Sequence, residues 1–167
     1  PELIFGNLLT GSNFDDNEQK TTGGRNGYGA KLANIFSTKF IVETYDSSRS
    51  LSYKQEFTDN MSVKGEPEIK KKSSGTDFTC ITFFPDFTRF KMDGLDEDTV
   101  ALLSKRVFDV SGTNTAKGPK LNVYLNGTKI DARSLETYIG LYDGLETPCA
   151  FERINDRWEI GVGVSDG

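Results

Sequence analysis

The residues best suited to chemistry lie in Thr22-Gly23-Gly24-Arg25-Asn26-Gly27-Tyr28-Gly29-Ala30-Lys31-Leu32, where four glycines fall within seven residues. Glycines let the backbone come close to a ligand, and a helix opening directly behind them leaves first-turn N–H groups free to point at an anion. Lys31 falls in the first turn of that helix and can add a positive charge on the same side. Phosphate binding is the chemistry this combination suits. Two familiar phosphate motifs nevertheless fail: Ala30-Lys31-Leu32 stands where G-x-x-x-x-G-K-[ST] needs Gly-Lys and a hydroxyl, and Leu32 stands where G-x-G-x-x-G needs its third glycine. A flexible linker is the competing reading. Linkers favour Ser and repeated Gly, whereas here Arg25, Asn26 and Tyr28 alternate with the glycines.

Other chemistry is narrowed by composition. The 167 residues include no histidine, which excludes a His-based triad, a His metal site and imidazole acid–base catalysis. A formal net charge of -5 argues against a large non-specific nucleic-acid footprint. Cys80 and Cys149 are too few to staple a scaffold, and the setting of Cys80 in Phe78-Thr79-Cys80-Ile81-Thr82-Phe83 predicts a small buried thiol in a reducing compartment. No stretch approaches the roughly 20 apolar residues of a membrane span. The opening Pro1-Glu2-Leu3-Ile4-Phe5 carries no signal peptide and reads as the interior of a longer protein. Lys70-Lys71-Lys72, beside Ser73-Ser74-Gly75, reads as a solvated loop tip, and Asp15-Asp16 with Glu18 as loop surface, since neither has the spacing of a nucleic-acid or metal site.

The elements that must hold the glycine segment follow from periodicity. Pro1 to Leu9 predicts a short helix, Phe14 to Gly27 a long polar loop, and Tyr28 to Phe36 a second helix with Tyr28, Leu32, Ile35 and Phe36 on one face. Phe40–Tyr45 and Leu51–Phe57 alternate as a hairpin, a third strand follows near Pro67–Lys71, and Thr76–Phe84 suits a central strand of an antiparallel sheet. Phe83, Phe84, Phe87 and Phe90 are expected to pack the sheet–helix core. Asp96-Glu97-Asp98-Thr99 caps a helix with an apolar face of Val100, Leu103, Val107 and Val110. Asn126-Gly127 predicts a hairpin turn between Leu121–Leu125 and Thr128–Ile130, a reading preferred over the glycosylation sequon it also fits. A helix over Arg133–Tyr142, a boundary at Asp143–Pro148 and two strands between Phe151 and Val164 complete the chain.

Gly23 to Leu32, preceded by Leu8-Leu9-Thr10-Gly11-Ser12-Asn13-Phe14-Asp15-Asp16 and followed by Asn34-Ile35-Phe36-Ser37-Thr38, resembles the ATPase region of eukaryotic type II DNA topoisomerases, members of the GHKL family. The likeness continues through Thr79–Phe83, Phe90-Lys91-Met92, Val123–Gly127 and Arg157-Trp158-Glu159. It implies an α/β fold, an α+β two-layer sandwich of the GHKL (Bergerat) type over residues 1–145. The front of that domain would be missing, and residues 146–167 would open a transducer domain of ribosomal protein S5 domain 2-like fold.

The resemblance also implies roles. Gly24, Arg25, Asn26, Gly27, Tyr28, Gly29, Ala30 and Lys31 would wrap the triphosphate of ATP as part of a lid, and Gly11, Ser12 and Asn13 would meet its sugar and phosphates. The family commonly has Ser at the position of Gly11, so a side-chain contact there is lost. The family's water-activating glutamate and Mg²⁺-holding asparagine would lie upstream of Pro1. Its γ-phosphate lysine and its DNA-cleaving tyrosine would lie beyond Gly167. No catalytic or metal-binding residue is therefore expected in this chain, although ATP and Mg²⁺ are the implied cofactors.

The implied activity is type II DNA topoisomerase action in the nucleus, in which ATP closes the lid, joins a homodimer and drives one double-stranded DNA through a break in another. The chain alone is expected to be inactive, poorly soluble and a weak ATP binder. Ordering a glycine loop costs about 1–2 kcal/mol per residue, against roughly 1.5–3 kcal/mol for each charge-assisted hydrogen bond. The alternative is a non-catalytic GHKL-like nucleotide-binding or interaction module.

Overall fold

The computed structural model describes the chain except residues 14, 16, 19–23, 25, 115–120, 143, 146–148, 156, 157, 166 and 167. It divides into two compact units, Pro1–Gly94 and Leu95–Gly167.

The first unit opens with α1 (Glu2–Gly6) and α2 (Tyr28–Ile35), followed by strands β1 (Ser37–Asp46), β2 (Leu51–Thr58), β3 (Val63–Lys64), β4 (Glu68–Lys71) and β5 (Phe78–Pro85). The sheet runs β3-β2-β1-β5 with β4 also on β2, and every pairing is antiparallel. Alternation sends Phe40 and Val42 of β1 inward with Phe57 of β2, and these three form the buried core. α1 sits directly on it. Phe5 stacks near Phe40 at 6.1 Å between ring centroids, and a Cβ at Gly6 would come within 2.6 Å of the Phe57 ring, so only glycine allows this approach. A buried polar knot fixes the start of the same helix: Gln55 Nε2 donates to Glu2 Oε2 at 3.0 Å and to the Gly65 carbonyl at 2.9 Å, while Tyr53 donates its hydroxyl to Gln55.

Several expectations change here. The first helix is five residues long rather than nine, because the chain leaves helical geometry at Asn7. Thr76–Phe84 is not a central strand: β5 pairs only with β1 among the described residues, and Phe78, Ile81, Phe83 and Phe84 are exposed. The exposed Cys80 therefore overturns the buried-thiol reading, and of the aromatics assigned to the core Phe83, Phe84 and Phe90 are about half exposed. Phe90 packs instead against Phe36 at 5.4 Å. Lys70 and Lys71 belong to β4 rather than to a loop tip, and Lys70 pairs with Glu68 at 2.7 Å. Asp15 accepts hydrogen bonds from Asn17, a local turn; Asp16 lies outside the described residues.

The second unit contains α3 (Glu97–Thr113), the hairpin β6 (Tyr124–Leu125) and β7 (Thr128–Lys129), α4 (Leu135–Ile139), and the hairpin β8 (Ala150–Arg153) and β9 (Glu159–Val162). Asp96 caps α3 by accepting from the Thr99 amide at 2.8 Å. Asn126 and Gly127 take φ of 48° and 80°, the left-handed pair that a tight hairpin turn requires. The helix expected over Arg133–Tyr142 is confined to Leu135–Ile139, opened by a Ser134/Thr137 capping box and stopped at Gly140. Gly112 of α3 lies against Tyr138 of α4, where a Cβ would clash at 2.4 Å. The stripe assigned to the buried side of α3 is largely exposed at Val100, Leu103 and Val110.

Candidate nucleotide-phosphate site

α2 turns its polar residues inward. Lys31 and Asn34, three apart and so on one helical face, are 3% and 0% exposed, whereas Tyr28 and Leu32 are 42% and 44% exposed. The apolar face assigned to this helix is thus only partly inward, at Ile35 and Phe36. An inward lysine on a short helix is uncommon because removing an ammonium from water costs several kcal/mol unless it is paired. Among the described residues the Lys31 ammonium has no hydrogen bond or ion pair.

Its neighbours are the glycines. Gly27, the residue before α2, has φ +64°, and a Cβ there would lie 2.9 Å from Lys31 Nζ and 3.7 Å from the Gly11 nitrogen. Gly11, Gly27 and Lys31 therefore converge although 20 residues separate Gly11 from Lys31 in sequence. Asn13 closes the other side by donating from Nδ2 to the Gly24 carbonyl at 2.7 Å. Gly27 has no side chain to cap α2, so the N-cap residue takes up none of the first-turn amides.

The remaining predicted residues border this cluster without entering it. Ser12, Asn26, Tyr28 and Gly29 are exposed, a Cβ at Gly29 would meet nothing within 4 Å, and Ala30 is half-buried. Arg25 lies outside the described residues. Sequence reasoning did not single out Asn34, whose signal was an asparagine three residues after Lys31 among the small residues of a helix. No group of three or more cysteines and carboxylates that could hold a metal ion occurs among the described residues.

The chain is 50% identical over 175 residues to "DNA topoisomerase 2" of Arabidopsis thaliana, a match covering all of this chain and 12% of that protein. In structure it matches the ATPase region of Saccharomyces cerevisiae topoisomerase II, with a TM-score of 0.89 at 48% identity over 99% of this chain and 43% of the other. The chain belongs to the eukaryotic DNA topoisomerase II family. The ATPase and transducer domains of the topoisomerase II from Balamuthia mandrillaris match with a TM-score of 0.82 at 47% identity, over 98% of this chain and 41% of that one. No family model matches the sequence. The topoisomerase II resemblance seen in Gly23–Leu32 and the α/β fold class expected from it are both borne out. The chain spans about an eighth of the length of the Arabidopsis topoisomerase II.

Proposed function

We propose that this chain supplies the phosphate-binding lid of the ATP site in a type II DNA topoisomerase. Lys31 carries the reading: its side chain is largely buried, and its ammonium has no partner among the described residues and is set against Gly27 and Gly11. An unpaired cation beside glycine backbone and open helix amides is complementary to a polyphosphate, whose charge supplies the counter-ion. Gly24, Arg25, Asn26, Gly27, Tyr28, Gly29 and Ala30 follow the phosphates along the backbone. Gly11, Ser12 and Asn13 meet the nucleotide from the other side, and the Asn13–Gly24 hydrogen bond holds the two segments together.

The residues described here do not fit a Mg²⁺ site, and no step in this chain runs through the metal. Its ligands, the water-activating group and the DNA-cleaving tyrosine are assigned to the rest of the protein. Residues 1–145 are assigned to the ATPase domain and 146–167 to the start of the transducer. In the whole protein, ATP binding closes the lid, brings two subunits together and drives passage of double-stranded DNA, in the nucleus.

Titration of the full-length protein with a non-hydrolysable ATP analogue tests the site. Lys31→Met should weaken binding roughly ten- to hundredfold, the worth of one charge-assisted contact. Affinity equal to wild type sinks the proposal.

A further inference from the structure

Asn34 is fully buried, yet only half of its amide is used. Nδ2 donates to the Phe5 carbonyl of α1 at 3.0 Å, while Oδ1 has no hydrogen-bond partner among the described residues. A buried acceptor left without a donor is a standing penalty that an apolar residue of the same volume would avoid. What the amide contributes comes from its other half. That half joins the two elements carrying the two sides of the phosphate site. α1 is seated on the core by Phe5 and Gly6 and runs on through Asn7 to Gly11 and Asn13, whereas α2 starts behind Gly27 and carries Lys31 one turn before Asn34. Apolar packing holds only part of α2: Ala33 packs against the core, whereas Tyr28 and Leu32 are exposed.

We propose that Asn34 is a positioning residue that braces α2 against α1 through the Phe5 carbonyl and so sets where the Lys31 ammonium stands relative to Gly11. The inference rests on the nucleotide reading of the site. Without the brace, α2 can slide along α1 and the glycine loop loses its register with Gly11–Asn13.

The test measures affinity for a non-hydrolysable ATP analogue and thermal midpoint together, in the full-length protein. Asn34→Leu keeps the volume and removes both the bond and the orphan oxygen; Asn34→Ser is a smaller second variant whose hydroxyl is too short for the Phe5 carbonyl. Both should bind roughly three- to tenfold more weakly, the worth of a neutral hydrogen bond. Val42→Ala, a core truncation in the same unit, should lower the midpoint and leave affinity unchanged. Wild-type affinity in both Asn34 variants overturns the brace, as does an equal loss in Val42→Ala. Lys31→Met separates the two readings. If it weakens binding while the Asn34 variants do not, the brace alone is wrong; if it also binds as wild type, the nucleotide reading falls and the brace with it.

Discussion

Two lysines, one in each unit, occupy opposite situations. Lys31 is buried and has no partner among the described residues, whereas Lys105 on α3 is half exposed and fully engaged. Lys105 Nζ donates to Asp109 Oδ1 at 2.9 Å and to Tyr138 OH at 3.0 Å, and lies 5.8 Å from the ring centroids of both Tyr138 and Tyr142. Arg106 adds a second pair to Asp109 at 2.9 Å, and Tyr138 donates its hydroxyl to the same carboxylate. The Tyr138 bond, then Lys105, holds the Asp109 carboxyl down at about 2. The bond to Asp109 pushes Tyr138 up to about 12, and Lys105 is raised, chiefly by Asp109. A cation whose hydrogen bonds are filled within its own unit serves structure. The other, set beside glycine backbone with no partner among the described residues, is the one we assign to an anion from outside.

Gly27→Val attacks the first situation with the largest expected effect. A branched residue at φ +64° is strained by about 1–2 kcal/mol, and its Cβ would displace the Lys31 ammonium. ATP-dependent relaxation of supercoiled DNA by the full-length protein should be abolished; unchanged relaxation would break the contrast from the Lys31 side.

Tyr138→Phe acts on the second situation. It removes the bond most responsible for the low Asp109 value, so a carboxyl NMR titration should show that group rising from about 2 toward the ordinary 3.9, with nucleotide affinity unaltered. In wild type the sign follows from a carboxylate depressed on folding. The stabilising effect of Asp109 is present above about pH 4 and lost as pH falls toward 2, so thermal midpoints should show no Asp109-linked loss near neutrality. Lys105→Met has the smallest expected consequence for function, an ATP-analogue affinity within about twofold of wild type. A loss as large as that of Lys31→Met would erase the distinction between the two lysines.

Elements of both units were legible where local signals and tertiary structure agree. Phe40–Tyr45 and Leu51–Phe57 alternate and do pair as β1 and β2, and Asp96 and Asn126-Gly127 mark a cap and a turn whose chemistry is local. Exposure was not legible. Thr76–Phe84 has the composition of an inner strand, but composition does not say which neighbours a strand has, and Cys80 and Phe83 are exposed as a result. Gly11, Asn13, Gly24, Gly27 and Lys31 were all named from the sequence; the structure sets Gly11 beside Gly27 and Lys31 and joins Asn13 to Gly24. The inward turn of α2 was missed because its moderately apolar positions dominate the period, while burial of Lys31 and Asn34 is imposed by α1 and the chain around Gly11.

The most direct test of the central claim is a crystal structure of the full-length protein with a non-hydrolysable ATP analogue. The account predicts Lys31 Nζ within about 3 Å of a phosphate oxygen, with Gly11 and Gly27 flanking the phosphates. A nucleotide whose phosphates lie away from Lys31, with that ammonium still lacking an anion, would contradict it.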